Sequence, residues 1–171
     1  MKYSFGNDSI LIYEKIENCI GEICKYMFPI KHERYVGNGS KIAICTLSSI
    51  KLLREISNDI KLMNKLAIVG RLLSENKGID EIINYCNGNR QLEHLVICGR
   101  DSRGHRAGES LIALSRNGIT KHGIIINSKS PRPQLRSSYQ EVELFRNRIT
   151  IHNLIEETHL KRVRSFVDEL I

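Results

Sequence analysis

The stretch Gly99-Arg100-Asp101-Ser102-Arg103-Gly104-His105-Arg106-Ala107-Gly108-Glu109-Ser110 gathers the residue types most able to do chemistry. A neutral imidazole such as that of His105 ligates transition metals and moves protons near pH 7. Gly99 and Gly104 permit backbone conformations and close approaches that a Cβ would block. Gly108 falls where a helix is expected, and glycine there costs about 1 kcal/mol relative to alanine. It therefore marks a strip left bare for something that packs against it. His105 and Gly108 are three apart and would share a helix face. Two readings stay open. The imidazole could coordinate a metal held in a large flat ligand, or His105 could meet only solvent while Gly108 lets the helix pack tightly.

Other constellations offer less. No G-x-x-x-x-G-K-[ST] loop occurs, and the glycines do not form G-x-G-x-x-G. Ser110 follows no nucleophile-elbow pattern, so hydrolase chemistry lacks support. The five cysteines include no C-x-x-C pair, which leaves a zinc or iron–sulfur site without its ligand spacing. Cys45 and Cys98 lie in apolar runs and read as small buried hydrophobes. His94 reads as a strand histidine, while His32, His122, His152 and His159 are scattered without an i,i+4 partner. Glu75 and Asp101 could form an acid–base couple, but nothing in the sequence brings them together.

The elements that would position these residues follow from periodicity. Apolar positions from Ile10 to Met27 recur at helical spacing, and Pro29 ends that helix. Lys31–Ser40 is polar with two glycines and reads as a linker, dividing residues 1–34 from a domain over 35–171. Strands are expected at Lys41–Leu47, Leu66–Gly70, Leu92–Gly99, Gly123–Asn127 and Ile149–Ile155. Helices are expected at Ser48–Ser57, Gly78–Tyr85, His105–Arg116, 137–148 and Glu156–Ile171. Asn117-Gly118 stops the third of these helices, and Ser130-Pro131-Arg132-Pro133 forms a rigid turn. Strands alternating with helices imply an α/β, Rossmann-like, doubly wound and mostly parallel sheet in a single domain with an N-terminal helix. Ligands of such sheets sit at the carboxyl ends of the strands, here Thr46–Ser49, Gly70–Gly78, Gly99–Gly104 and Asn127–Arg136.

Composition narrows the class. With 41% hydrophobic residues in 171, the chain can build a core without disulfides. The absence of a long apolar run and of a signal-peptide pattern implies no membrane span and a cytoplasmic protein. The net charge of +7 is spread along the chain and aromatic content is 6%, which argues against specific nucleic-acid binding.

At the histidine loop the sequence resembles the corrinoid-binding A subunit of tetrahydromethanopterin S-methyltransferase, an archaeal enzyme of methanogenesis and one-carbon metabolism. The matching residues are Ile97-Cys98-Gly99, then Gly104-His105-Arg106-Ala107-Gly108, then Asn117-Gly118. Upstream, Ser74-Glu75-Asn76-Lys77-Gly78-Ile79 resembles the family's Thr-Glu-Asn-Leu-Gly-Ile. Thr46-Leu47 and Pro133 match in position. The likeness runs from about Tyr35 to Ile155.

The resemblance implies a cobamide carrier, with cobalamin or a related cobamide as cofactor and His105 as the cobalt ligand and catalytic residue. Thr46, Leu47, Ser48, Ser74, Glu75, Asn76, Lys77, Gly78, Gly99, Arg100, Asp101, Ser102, Gly104, Gly108, Ser128 and Pro133 would bind the cofactor. It implies methyl transfer from methyl-tetrahydromethanopterin toward coenzyme M or another thiol, together with partner methyltransferase subunits. The cobalt chemistry would belong to the cofactor, and the protein would bind and orient it. The family's membrane anchor has no counterpart before Ile171, so a soluble homologue is expected, in one copy or as a homo-oligomer. Arg100, Arg103, Arg106 and Arg132 make this loop edge more basic than in the family. They support an alternative: a module of the same fold that binds a nucleotide or pterin phosphate.

Overall fold

The computed structural model describes residues 33–171. The helix expected over 10–27 lies outside those residues. Five strands form one sheet: β1 (Arg34–Val36), β2 (Ile42–Cys45), β3 (Leu66–Gly70), β4 (His94–Gly99) and β5 (Thr150–Ile155). Six helices accompany them among the described residues: α1 (Ile50–Ser57), α2 (Ile60–Met63), α3 (Lys77–Gly88), α4 (Ala107–Asn117), α5 (Tyr139–Arg148) and α6 (Leu160–Glu169). The strand order is β1-β3-β2-β4-β5, with β3, β2, β4 and β5 parallel and β1 antiparallel at one edge. This is the mostly parallel α/β sheet that the alternating pattern implied.

Period-two alternation, interrupted in β3 by a bulge at Ala67, explains how the sheet is covered on both faces. Ala43, Cys45, Ala67, Leu95 and Ile97 point to one face, where Ile79 and Ile83 of α3, Leu111 of α4 and Phe145 of α5 close the core. Ile42, Ile44, Leu66, Val69, Val96 and Cys98 point to the other, under Leu52 and Ile56 of α1, Leu62 of α2 and Val163 of α6. Chain order reverses direction across the sheet at β2, which has β3 on one side and β4 on the other. The loops after these strands therefore flank the crevice where doubly wound sheets take their ligands. Burial pushes the Cys45 thiol up to about 12 and raises that of Cys98 as well, so both are inert core groups.

Two expectations give way. Within Lys31–Ser40, Arg34–Val36 is a strand and not linker. Its following glycines are needed for contact, because a Cβ on Gly37 or Gly39 would lie 2.1 Å from Leu66 O or 2.3 Å from Lys65 O. Gly123–Asn127 is not a strand of the sheet. It makes only single bridges, Ile119 with Ile125 and Ile124 with Gln134. The position beside β4 is taken by β5, and Pro131 and Pro133 on the returning segment lack the N–H donors that a ladder needs. Among the described residues no helix is long and apolar enough to cross a membrane.

Candidate functional site

The loops at the carboxyl ends of the parallel strands are tied to one another before any ligand is considered. Ser48 N–H and Oγ–H both donate to Arg100 O, at 3.1 and 2.6 Å, and Arg100 N–H returns a bond of 2.8 Å to Ser49 Oγ. Gly99, at φ 80°, sits so close that a Cβ would stand 2.4 Å from Thr46 O. Among the described residues, four other than glycine also adopt positive φ: Leu47 (51°), Arg106 (46°), Asn127 (61°) and Glu156 (74°). Each follows a strand or lies in a loop of this edge. Backbone strain of this kind persists only where surrounding contacts over-determine it, and it concentrates at functional sites.

His105 stands just ahead of α4, not within it, so the expected helix start moves from His105 to Ala107. The reason is Arg106, whose left-handed conformation turns the chain into the helix. Sharing of one helix face by His105 and Gly108 is therefore lost. The bare strip at Gly108 is filled by the protein itself. A Cβ there would lie 2.9 Å from the Leu47 methyls and 3.1 Å from Asp101 Oδ2.

The imidazole of His105 is 58% exposed, and its Nδ1 lies 2.9 Å from Oε2 of Glu75, whose side chain is only 3% exposed. An ionised carboxylate can only accept, so in the neutral ring this contact puts the proton on Nδ1 and leaves the lone pair on Nε2. The other oxygen of Glu75, Oε1, accepts from Arg132 N–H at 3.2 Å. Glu75 thus links the loop after β3, the histidine loop and the Ser130–Pro133 turn. Sequence reasoning named both His105 and Glu75 but not their contact. A carboxylate before an α/β helix and a histidine before the next helix was the available signal.

The remaining candidates divide by what they do. Thr46 and Leu47 are fully buried; Thr46 Oγ–H donates to Gly70 O at 3.3 Å. Asn76 caps α3 by accepting Lys77 N–H, and Ser74 Oγ accepts Gly78 N–H at 2.9 Å. Lys77 and Gly104 are exposed, and a Cβ on Gly104 would meet open space. Ser102 accepts Arg106 N–H at 2.7 Å through its carbonyl and His105 N–H at 3.3 Å through Oγ. Asp101 accepts Ser102, Gly108 and Glu109 N–H groups at 2.8, 3.1 and 2.9 Å. It and Glu75 therefore have separate partners and do not form an acid–base couple. Pro133 O accepts Ile125 N–H at 2.8 Å. Ser128 joins Ser110 and Ser130 in a ring of three mutually bonded hydroxyls, a cluster that spacing alone did not disclose.

The arginines lie at the rim. Arg100, Arg103, Arg106 and Arg132 are exposed; Arg106 approaches Glu109 Oε2 at 3.7 Å, a carboxylate shared with Lys129. No cluster of three or more His, Cys, Asp or Glu able to hold a metal ion occurs among the described residues. A metal at His105 would bring most of its ligands with it. The donor set suits that case, because metal-ligating histidines commonly give their other ring N–H to a carboxylate.

The sequence profile of the A subunit of tetrahydromethanopterin S-methyltransferase, MtrA, matches residues 25–171. The A subunit of the methyltransferase Mtx of Methanosarcina barkeri is 32% identical over 142 residues, covering 82% of this chain and 68% of that relative. The tetrahydromethanopterin S-methyltransferase A subunit of Methanosphaera stadtmanae is 30% identical over 139 residues, covering 80% of this chain and 53% of the relative. The Mtx A subunit of Methanosarcina mazei is 35% identical over 104 residues, 60% of each chain. The matched segments thus span from about half to about two thirds of these relatives. A profile match over most of the length, with the histidine loop and the Glu75 stretch inside it, decides the matter: the chain belongs to the MtrA family, the A subunits of tetrahydromethanopterin S-methyltransferase.

Proposed function

We propose that this chain binds a cobamide and carries methyl groups on it, with His105 as the protein ligand to cobalt. The observation that carries the reading is the His105–Glu75 pair. A buried carboxylate holds the proton on Nδ1 and leaves Nε2, on a half-exposed ring, as the one nitrogen free to donate. The bound group would supply a metal centre that takes up a methyl group and gives it to a thiol.

The chain's own residues have narrower tasks. Glu75 fixes the tautomer and the ring plane of His105, and Arg132 N–H fixes Glu75. When Nε2 donates its electron pair, the ring becomes a stronger donor at Nδ1, and the Glu75 carboxylate offsets the positive charge that develops there. Gly104 faces open space, while Ser102 sets the turn that presents the ring. Arg100 and Arg103 place positive charge at the rim, suited to a phosphodiester of the cofactor or to an acidic protein partner. Methyl-tetrahydromethanopterin as donor, coenzyme M or another thiol as acceptor, and partner subunits complete the proposal, since the relatives are named as subunits of such a methyltransferase.

The test is reconstitution of the purified chain with cobalamin, followed by gel filtration and a visible spectrum. Co-elution is expected, with a spectrum that changes in His105→Ala. No co-elution, or an unchanged spectrum in that variant, overturns the proposal. A second reading, nucleotide or pterin-phosphate binding, is favoured by the exposed Arg100 and Arg103, which make no ion pair among the described residues. Thermal-shift screening separates the two, because a ligand of the folded state raises apparent stability by mass action. A response to nucleotides or pterins and none to cobalamin would favour the second.

A further inference from the structure

We infer that Asp101 is a positioning residue for His105: its carboxylate closes the loop 101–109 and thereby delivers the imidazole to Glu75. The inference rests on His105 being the functional group, but its geometry can be tested without a cofactor.

Helix α4 lacks an ordinary cap. Its N-cap residue is Arg106, left-handed at φ 46° and ψ 44°, with no side-chain capping bond. The first N–H groups of a helix need acceptors from outside it. Here Asp101, seven and eight residues upstream, accepts Gly108 N–H on Oδ1 and Glu109 N–H on Oδ2, at 3.1 and 2.9 Å. Negative charge at this end of a helix is favourable in its own right. The same carboxylate accepts Ser102 N–H at 2.8 Å, so both ends of the loop are bonded to one group.

Inside that outer closure lies a smaller one. Arg106 N–H donates to Ser102 O at 2.7 Å, and His105 N–H donates to Ser102 Oγ at 3.3 Å. The residues between carry little that could hold them otherwise. Ser102 is half-buried, Arg103, Gly104, His105 and Arg106 are exposed, and Gly104 has open space beside it. Gly108 completes the device. Its missing side chain leaves room for Asp101 Oδ2 and the Leu47 methyls, which a Cβ would meet at 3.1 and 2.9 Å. The glycine three residues after the histidine is thus required by the carboxylate that shapes the loop. The largely solvent-facing ring of His105 reaches Glu75 because its backbone is delivered there.

The test uses the full chain without cobamide, labelled with ¹⁵N, at a pH where the ring is neutral. Long-range proton–nitrogen spectra report which ring nitrogen of His105 carries the proton. The wild type is expected to show Nδ1–H. In Asp101→Ala the ring should revert toward the Nε2–H form that imidazole prefers in water, with the melting curve confirming a folded chain. Asp101→Asn, which keeps one carbonyl acceptor, should fall between. Gly108→Ala should displace Asp101 and Leu47 and give the same change without altering charge. An unchanged His105 pattern in folded Asp101→Ala or Gly108→Ala overturns the inference. If those two do not fold, the pattern in Asp101→Asn decides it on the same criterion. Failure of the wild type to bind cobalamin would overturn the proposed function and leave this result standing.

Discussion

Glu75 and Asp80 lie five residues apart, are both buried, and both reach across to the segment that follows Ser130. Their partners differ in kind. Asp80, in the first turn of α3, accepts Arg136 N–H at 3.0 Å, Ser137 N–H at 3.0 Å and Ser137 Oγ–H at 2.7 Å. Each donor is neutral and fixed, so the carboxylate is wholly committed to holding a loop against a helix. Glu75 gives one oxygen to a backbone N–H and the other to an imidazole that is mostly in water. Burial does not separate a structural carboxylate from a functional one. What separates them is whether a partner can change its state.

The largest expected effect tests the structural half of that contrast. Asp80→Ala leaves two backbone N–H groups without their acceptor and should cost about 3 kcal/mol in urea denaturation. The His105 ring signals should not move; if they do, the two carboxylates are not independent. Glu75→Gln sharpens the other half. It should lower cobalamin affinity by roughly 10–100-fold, as expected for the outer partner of a metal-ligating histidine, while the fold survives. Arg106→Gly probes the strain at this edge. Because glycine adopts positive φ without penalty, the melting temperature should hold or rise, by up to about 1 kcal/mol of stability. A clear loss would show that the arginine side chain, and not the turn, matters there.

The smallest effect concerns a histidine paired with another histidine. His152 Nε2 lies 3.1 Å from His94 Nδ1 on neighbouring strands. Burial, and then the charge of His94, lowers the His152 pKa from the ordinary 6.5. As pH falls below about 6.5 the unfolded chain takes up a proton before the folded chain does, so stability is lost in that window and is fully present above it. Melting curves should show a modest decline on acidification that His152→Asn abolishes. An unchanged slope in that variant would show that another group titrates.

Much of this was legible in the sequence. The central strands β2 and β4 read plainly, because parallel strands buried on both faces are continuous apolar runs. The α4 stop at Asn117-Gly118 was legible too, since Gly118 has the positive φ a helix end calls for. Gly123–Asn127 misled because three consecutive isoleucines satisfy strand propensity, whereas pairing is decided by which neighbour is free. Arg34–Val36 was hidden for the opposite reason: a short, exposed edge strand carries no burial pattern. At the site, His105 and Glu75 were each visible as types, but a contact across 30 positions has no local signature. The capping role of Asp101 was hidden because a carboxylate that caps a helix from seven residues away breaks the usual spacing.

The hydroxyl ring of Ser110, Ser128 and Ser130 has one more consequence. Each oxygen can donate to one neighbour and accept from the other, so the closed ring needs no charge and its protons can circulate in either sense. The segment carrying Arg132 is therefore fastened to α4 by a clasp that neither acid nor salt can loosen. One side of Glu75 is thus held, through Arg132 N–H, by a segment whose fastening to α4 uses only neutral groups.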